Sequence, residues 1–348
     1  MAGKLRFGLV GAGSIAQSYA QAFKQSEQAE LVAVADVRLE AARAMAEGFN
    51  CRSFGSYEEM FRETKLDAVL VCTPPVSHPE ICLFFLEKKI HVLCEKPLSI
   101  SSSDARRMLE AAHSQGVLLS MGSKFRYVDD VVRAKSLVAS GILGEIVRLE
   151  NVFTSRVDMA PRWNSDPVRS GGGVLIDNGT HSVDIMRYLA GPVTAVQVTE
   201  VKRVQDIPVE DSVHVCARTA SGVIGTFDLS WSLQSGVSSY INLCGTRGTV
   251  ALGWQESRYK VASGRDWEVF GKGYDKIQGL RSQLENFSRA VRGEERLLIC
   301  AEDAVASVEV IEACYESLRS GGDWVAVGSQ VSAEGAPAGL KVVQGKGA

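Results

Sequence analysis

What the sequence lacks narrows it first. No stretch approaches the roughly 18 uninterrupted apolar residues that a membrane-spanning helix needs, so no membrane association is expected. A dominant charge is missing too: 38 lysines and arginines face 41 aspartates and glutamates, for a net charge of −3. With that balance, nothing electrostatic draws the chain to nucleic acid or to an anionic membrane. The cysteines (Cys51, Cys72, Cys82, Cys94, Cys216, Cys244, Cys300 and Cys314) include no CxxC pair and no cysteine–histidine cluster, which leaves no metal site to propose. Several lie inside apolar runs such as "VLVC" and "HVLC", where a thiol behaves as a small core residue. Free thiols in a reducing cytoplasm are the expectation. One segment imitates a secretory signal, with Lys4 and Arg6 ahead of "FGLVGAGSIA". Spaced glycines break its apolar run, and it continues into a helical pattern rather than a cleavage site. A cytoplasmic protein is expected.

What is present comes in two rhythms. Up to residue 123, short apolar runs ("LRFGLV", "LVAVAD", "DAVLVC", "KIHVLC", "GVLLSM") alternate with amphipathic stretches. Runs that are apolar at nearly every position suit strands buried on both faces of a parallel sheet. In "SISSSDARRMLEAAHSQG" the serines suit an N-cap and Gly116 a C-cap. The alternation predicts a doubly wound α/β domain. "SKFRYVDDVVRAKSLVASG" then reads as one linking helix. Beyond it, longer strands follow in succession, with hairpin turns at Ser221-Gly222 and Gly245–Gly248. Helical patterns at about 177–189, 279–293 and 302–319 bracket them. The expectation is an α+β domain with an open-faced, mainly antiparallel sheet, with these helices packed on one face and the other face apolar, exposed and inviting a partner subunit. The boundaries are 1–123 for the first domain, 124–328 for the second and 329–348 for a loose tail.

The first domain carries the residues for a dinucleotide. Gly11-x-Gly13-x-x-Ala16 follows the first strand and opens a helix. Gly11 permits the tight turn, Gly13 lets a pyrophosphate approach the backbone, and Ala16 allows close helix–strand packing. The helix start at Ser14 and Ile15 offers free N–H groups to phosphate. Asp36, 25 residues past Gly11, ends the next strand where a ribose-binding carboxylate belongs. Such a carboxylate favours NAD over NADP. Arg38 nearby could pair with a 2′-phosphate, and Asp36 could equally be a helix N-cap. "VCTPPVSHPE", with Thr73, Pro74 and His78, and "VLCEKPLS", with Glu95 and Lys96, end later strands at the same crevice. In the second domain, "GGGVLIDNGTHSVD" places Asp177 and His181 one helical turn apart, with Asp184 a further turn on. An N-cap and a packed histidine would account for that pair equally well in isolation. Trp163 could wall a substrate ring or pack in the core.

With the glycine fingerprint, "CTPPVSHPE", "CEKPLS" and "GGGVLIDNGTHSVD" in that order, the chain resembles the Gfo/Idh/MocA oxidoreductases over roughly residues 5–325. The resemblance implies a Rossmann domain, a following open-faced sheet, and dimers or tetramers formed through that sheet. It also implies that Lys96, Asp177 and His181 meet at the nicotinamide, with a Lys96–Pro97 bond that is often cis. Thr73, Pro74 and His78 would line the cofactor. Lys124 and Arg126 in "SKFRYVDD" depart from the family's pattern, at a place that often shapes substrate choice. The implied substrates are sugars, sugar nucleotides or inositols. For oxidation of a secondary alcohol, His181 is the natural base and Lys96 would stabilise charge on the reacting oxygen. Lys96 could itself be the proton shuttle, and the sequence does not choose. Two rivals stand beside a dehydrogenase: an NAD-dependent glycosidase or lyase, and an NAD-responsive regulatory protein.

Overall fold

A computed structural model of the chain describes residues 3–328, and the tail at 329–348 lies outside the described residues. In the first half β1 (Leu5–Val10), α1 (Ser14–Gln25), β2 (Ala29–Ala35), α2 (Leu39–Glu47), β3 (Arg52–Phe54), α3 (Tyr57–Glu63), β4 (Ala68–Val71), α4 (His78–Glu87), β5 (His91–Glu95), α5 (Ser102–Gln115) and β6 (Leu119–Gly122) alternate in order. The strands form one parallel sheet in the order β3-β2-β1-β4-β5-β6. Five of the six are the apolar runs. β3 went unseen because it is three residues long and opens on an exposed arginine. The order reverses between β1 and β4, and the carboxyl ends of those strands open a crevice there. Ser101 caps α5, and Gly116 ends it in the left-handed region at φ 65°.

In the second half, α6 (Asp129–Ala139), β7 (Ile146–Thr154), α7 (Pro167–Ser170), α8 (Val174–Ala190), β8 (Val193–Glu200), β9 (Ser212–Thr219), β10 (Ile224–Ser230), β11 (Ser239–Gly245), β12 (Gly248–Gly253), β13 (Ser257–Val261), β14 (Glu268–Gly271), α9 (Lys276–Val291), α10 (Ala301–Arg319) and β15 (Val325–Ala326) follow. The sheet order is β14-β13-β12-β11-β7-β10-β9-β8-β15, antiparallel except between β7 and β10. Alternate residues such as Val196, Val215, Phe227, Leu149 and Leu243 face a core shared with α8 and α10.

Three expectations are corrected. The linking helix is two pieces, a 3-10 turn at Lys124–Tyr127 and then α6, with extended Val128 between them. The turn seats Phe125 in the core under the second sheet and Tyr127 in the core of the first, and Gln278 donates to the Tyr127 carbonyl at 3.0 Å. The open face of the second sheet is not apolar. Gln197, Cys216, Thr226, Glu150 and Asn242 stand opposite one another across five strands, and beside them His214 Nδ1 lies 2.7 Å from Asp228. The period-2 pattern thus ends in polar and charged groups on that side. Finally, α9 leaves the second sheet, and α10 is shared, with Val310, Ile311 and Cys314 in the second core and its first turns on the first sheet. Leu280, Leu284 and Phe287 of α9 pack on Phe7 and Leu9, while Ala304, Val305 and Val308 of α10 pack on the other face of the first sheet.

Candidate active site

The crevice widens into a cleft of about 1590 Å³ running from the glycine loop to α8 and the rim of the second sheet. A pocket for one small molecule is typically about 300–1,000 Å³, so the cleft has room for two. On one side Gly11 sits at φ 93°, and a Cβ there would lie 2.8 Å from the Cys72 backbone. Gly13 precedes α1, whose start has no side-chain cap and no acid in its first turn. A Cβ on Gly13 would meet no protein atom within 4 Å and would occupy the cleft itself. Uncapped N–H groups at Ser14 and Ile15 facing that space fit a diphosphate. Asp36 is turned into the same loop: Oδ2 accepts from the Ala12 N–H at 2.7 Å and Oδ1 from the Arg38 N–H at 2.8 Å. A carboxylate has about four lone-pair sites, so two remain for a ribose diol. Arg38, not Asp36, is the N-cap residue of α2. Its Nε lies 3.5 Å from Asp36, with the side chain largely exposed.

Thr73, Pro74, Glu95 and Lys96 line the cleft. His78 does not, contrary to the cofactor contact expected of it. Its ring is fully buried, with Nδ1 2.9 Å from the Pro97 carbonyl and Nε2 2.8 Å from the Thr73 carbonyl. It ties the two loops together from behind, and burial pushes its pKa down. The Lys96–Pro97 bond is cis. Glu95 is buried beneath Lys96, where it accepts from the Tyr19 hydroxyl at 2.9 Å, and burial raises its pKa.

The other side of the cleft is presented by α8. Its glycine approach is tightly packed. A Cβ on Gly172 would come within 1.8 Å of the Tyr315 hydroxyl, and one on Gly173 within 2.1 Å of the Glu210 carbonyl. The Glu210 carboxylate supplies the missing cap, accepting from the Gly173 and Leu175 N–H groups at 2.9 and 3.1 Å and from Tyr315 at 2.8 Å. Nothing in the sequence around Glu210 marks this role. The capped first turn holds Asp177 against Lys96, whose ammonium pairs with the Asp177 carboxylate and donates to its carbonyl at 3.0 Å. One turn on, His181 Nε2 accepts from the Lys124 ammonium at 3.2 Å, while Nδ1 faces Ser123 Oγ at 3.5 Å. Ser123 gives its own proton to Asp184 at 2.8 Å. His181 therefore stands as the neutral Nδ1–H tautomer. Its pKa is held well below the imidazole range by burial, then by the charges of Lys124 and Lys96. Phe125 meets its ring edge-on at 5.0 Å. Phe125, Phe153, Trp254 and Tyr274 form an aromatic wall, and Trp163 stands at the lip, 39% exposed.

Arg126, expected at the substrate, is elsewhere. It is 3% exposed and lies 2.8 Å from both Asp184 and Asp303. Asp184 is fully buried in the same ionic knot and does not reach the cleft either. The sequence pattern placed these two residues one turn and two residues from true cleft groups, and only packing decides which way they turn. Lys276, Arg162 and Arg169 also line the cleft but stand in no motif.

Two family models match the chain: an oxidoreductase family with an NAD-binding Rossmann fold over residues 5–123, and the GFO/IDH/MocA C-terminal domain over residues 131–251. The rhizopine catabolism protein MocA of Rhizobium meliloti is 29% identical over 90% of this chain and 95% of its own length. The myo-inositol 2-dehydrogenase of Thermotoga maritima is 30% identical over 71% of this chain and 74% of its own. Among solved structures, a levoglucosan dehydrogenase in complex with NADH and levoglucosan superposes with a TM-score of 0.87 at 20% identity, over 93% of this chain and 99% of that one.

Proposed function

Given that this chain belongs to the Gfo/Idh/MocA oxidoreductases and carries their NAD-binding Rossmann domain, we propose that it is an NAD-dependent dehydrogenase acting on a secondary hydroxyl of a polyhydroxylated ring compound. The observation that carries this reading is the pairing of Lys96 with Asp177, 81 residues apart in sequence, with His181 lining the same cleft one turn on, beside a helix start fit for a diphosphate. A relative named for myo-inositol and a structural neighbour holding levoglucosan support the substrate class.

Bound NAD would supply the hydride acceptor. Lys96, held by its ion pair with Asp177, donates to the reacting oxygen and stabilises charge developing there. His181 is neutral, and its Nε2 lone pair, which accepts from Lys124 in this structure, is the base that takes the hydroxyl proton once the Lys124 ammonium turns to the substrate. Asp177 fixes Lys96 in place. Asp36 crowds a 2′-phosphate and favours NAD over NADP. Incubation with NAD and a panel of inositols, sugars, glycosides, sugar acids and sugar phosphates should raise absorbance at the NADH wavelength for at least one ring polyol. No NADH from any of them, in a protein that binds NADH, rejects the reading.

A further inference from the structure

Five cations line the substrate side of the cleft: Lys96, Lys124, Arg162, Arg169 and Lys276. Asp177 offsets Lys96. The other four have no carboxylate within ion-pair distance among the described residues. Lys124 is the most demanding of them. It is half-buried on the turn after β6, over the face of Phe125 at 4.9 Å, and its acceptor is the neutral Nε2 of His181 rather than an anion. A cation taken partly out of water without an ion-pair partner is costly, even with the Glu95 and Asp177 carboxylates farther off. Bound NAD adds the positive charge of its oxidised ring to the same region. On the rim where the adenosine half would lie, the balance is the opposite, with Asp36, Glu58 and Glu80 against Arg38.

We propose that Lys124 is the seat for an anionic group on the substrate, so that the preferred substrates are acids: polyhydroxylated molecules carrying a carboxylate or a phosphate. This deepens the dehydrogenase reading and rests on it. The anion supplies the missing ion-pair partner, with Lys276 on the same wall. By offsetting the field of Lys124, it also makes His181 a stronger base when substrate is bound.

The charged groups facing Lys124 are Glu95 and Lys96 from the end of β5, Asp177 and His181 from α8, and Lys276 from α9; burial and the two lysines bring its pKa down to about 8, with Glu95 and Asp177 opposing. The ammonium is therefore lost as pH rises through that value, and the affinity for anions falls with it.

The test is calorimetric titration of the full chain, saturated with NADH, with D-glucose, D-glucuronate and D-glucose 6-phosphate at pH 7. At least one of the two acids should bind about tenfold or more tighter than glucose, as an added charge-assisted contact gives. Glucuronate alone points to a carboxylate, and glucose 6-phosphate alone to a phosphate. Lys124→Met should erase the preference with NADH affinity unchanged, Lys124→Arg should keep it, and the preference should shrink between pH 7 and 9. Equal binding of all three sugars, no binding of either acid, or an undiminished preference in Lys124→Met overturns the proposal. So does an equal loss of affinity for acids and neutral sugars, which would mark Lys124 as a contact to a part that all three share. An enzyme that reduces NAD with neutral polyols and ignores acids removes the anion seat alone. One that binds the acids and never reduces NAD removes the dehydrogenase reading alone.

Discussion

On the cofactor side of the cleft, the contacts come from backbone: the turn at Gly11, the open N–H groups after Gly13, and one carboxylate, Asp36, bonded back into that loop. On the substrate side they come from side chains on α8, the turn after β6, the end of β5 and the start of α9. Backbone offers one pattern to every dinucleotide, so the first side serves a common cofactor. Side chains from four separate segments can change one at a time, so the second side sets what is oxidised.

Variants that break the contrast follow in order of size. Lys96→Met removes the group proposed to act on the reacting oxygen and should lower kcat/KM by about 10³-fold or more, with NADH affinity within a few fold of wild type. If NADH binding falls as steeply, Lys96 belongs to the cofactor side after all. Arg126→Met leaves Asp184 buried without its partner and should cost about 3–5 kcal/mol of stability, seen as a lower denaturation midpoint. Below that midpoint its KM for substrate should match the wild type, and a raised KM would restore Arg126 to the substrate. Gly172→Ala forces a methyl into Tyr315 and should cost about 1–3 kcal/mol, with kcat falling as the start of α8 shifts. An unchanged kcat would mean that the packed approach does not position Asp177 and His181. The smallest effect is in pH dependence. A His181 with a depressed pKa stays neutral, and active, as pH falls past 6.5, so the acid limb of kcat/KM should lie below that value. Lys124→Met should move the limb upward, though not to 6.5, because burial is the larger cause. A limb centred at 6.5 in the wild type contradicts a buried, neutral base.

The same contrast explains what could be read without coordinates. Glycines, strand ends and the spacing to Asp36 are local, and each obeys a rule of turn or helix geometry, so the first sheet and its crevice were legible. Lys96, Asp177 and His181 could be paired only through the resemblance, since no spacing rule joins residues 81 apart. Arg126 and His78 show the limit. Each sits within two residues of a group lining the cleft, Lys124 and Ser77 respectively, but an ion pair turns one away and two carbonyls hold the other behind the loop. Glu210 and Lys276 carry no local signal, because their roles exist only once α8 and α9 are in place.

The return of α9 and the first turns of α10 to the first sheet bears on how the chain is made. A ribosome releases β1 to β6 long before Leu280, Leu284 and Phe287 exist, and those residues cover Phe7 and Leu9. Until the last 50 or so described residues emerge, the nascent first half keeps an apolar face uncovered, a state in which growing chains are prone to aggregate. Ending the gene just after β14 would therefore be expected to yield not a free nucleotide-binding domain but an insoluble fragment, and supplying residues 276–328 as a separate chain is the natural way to rescue it.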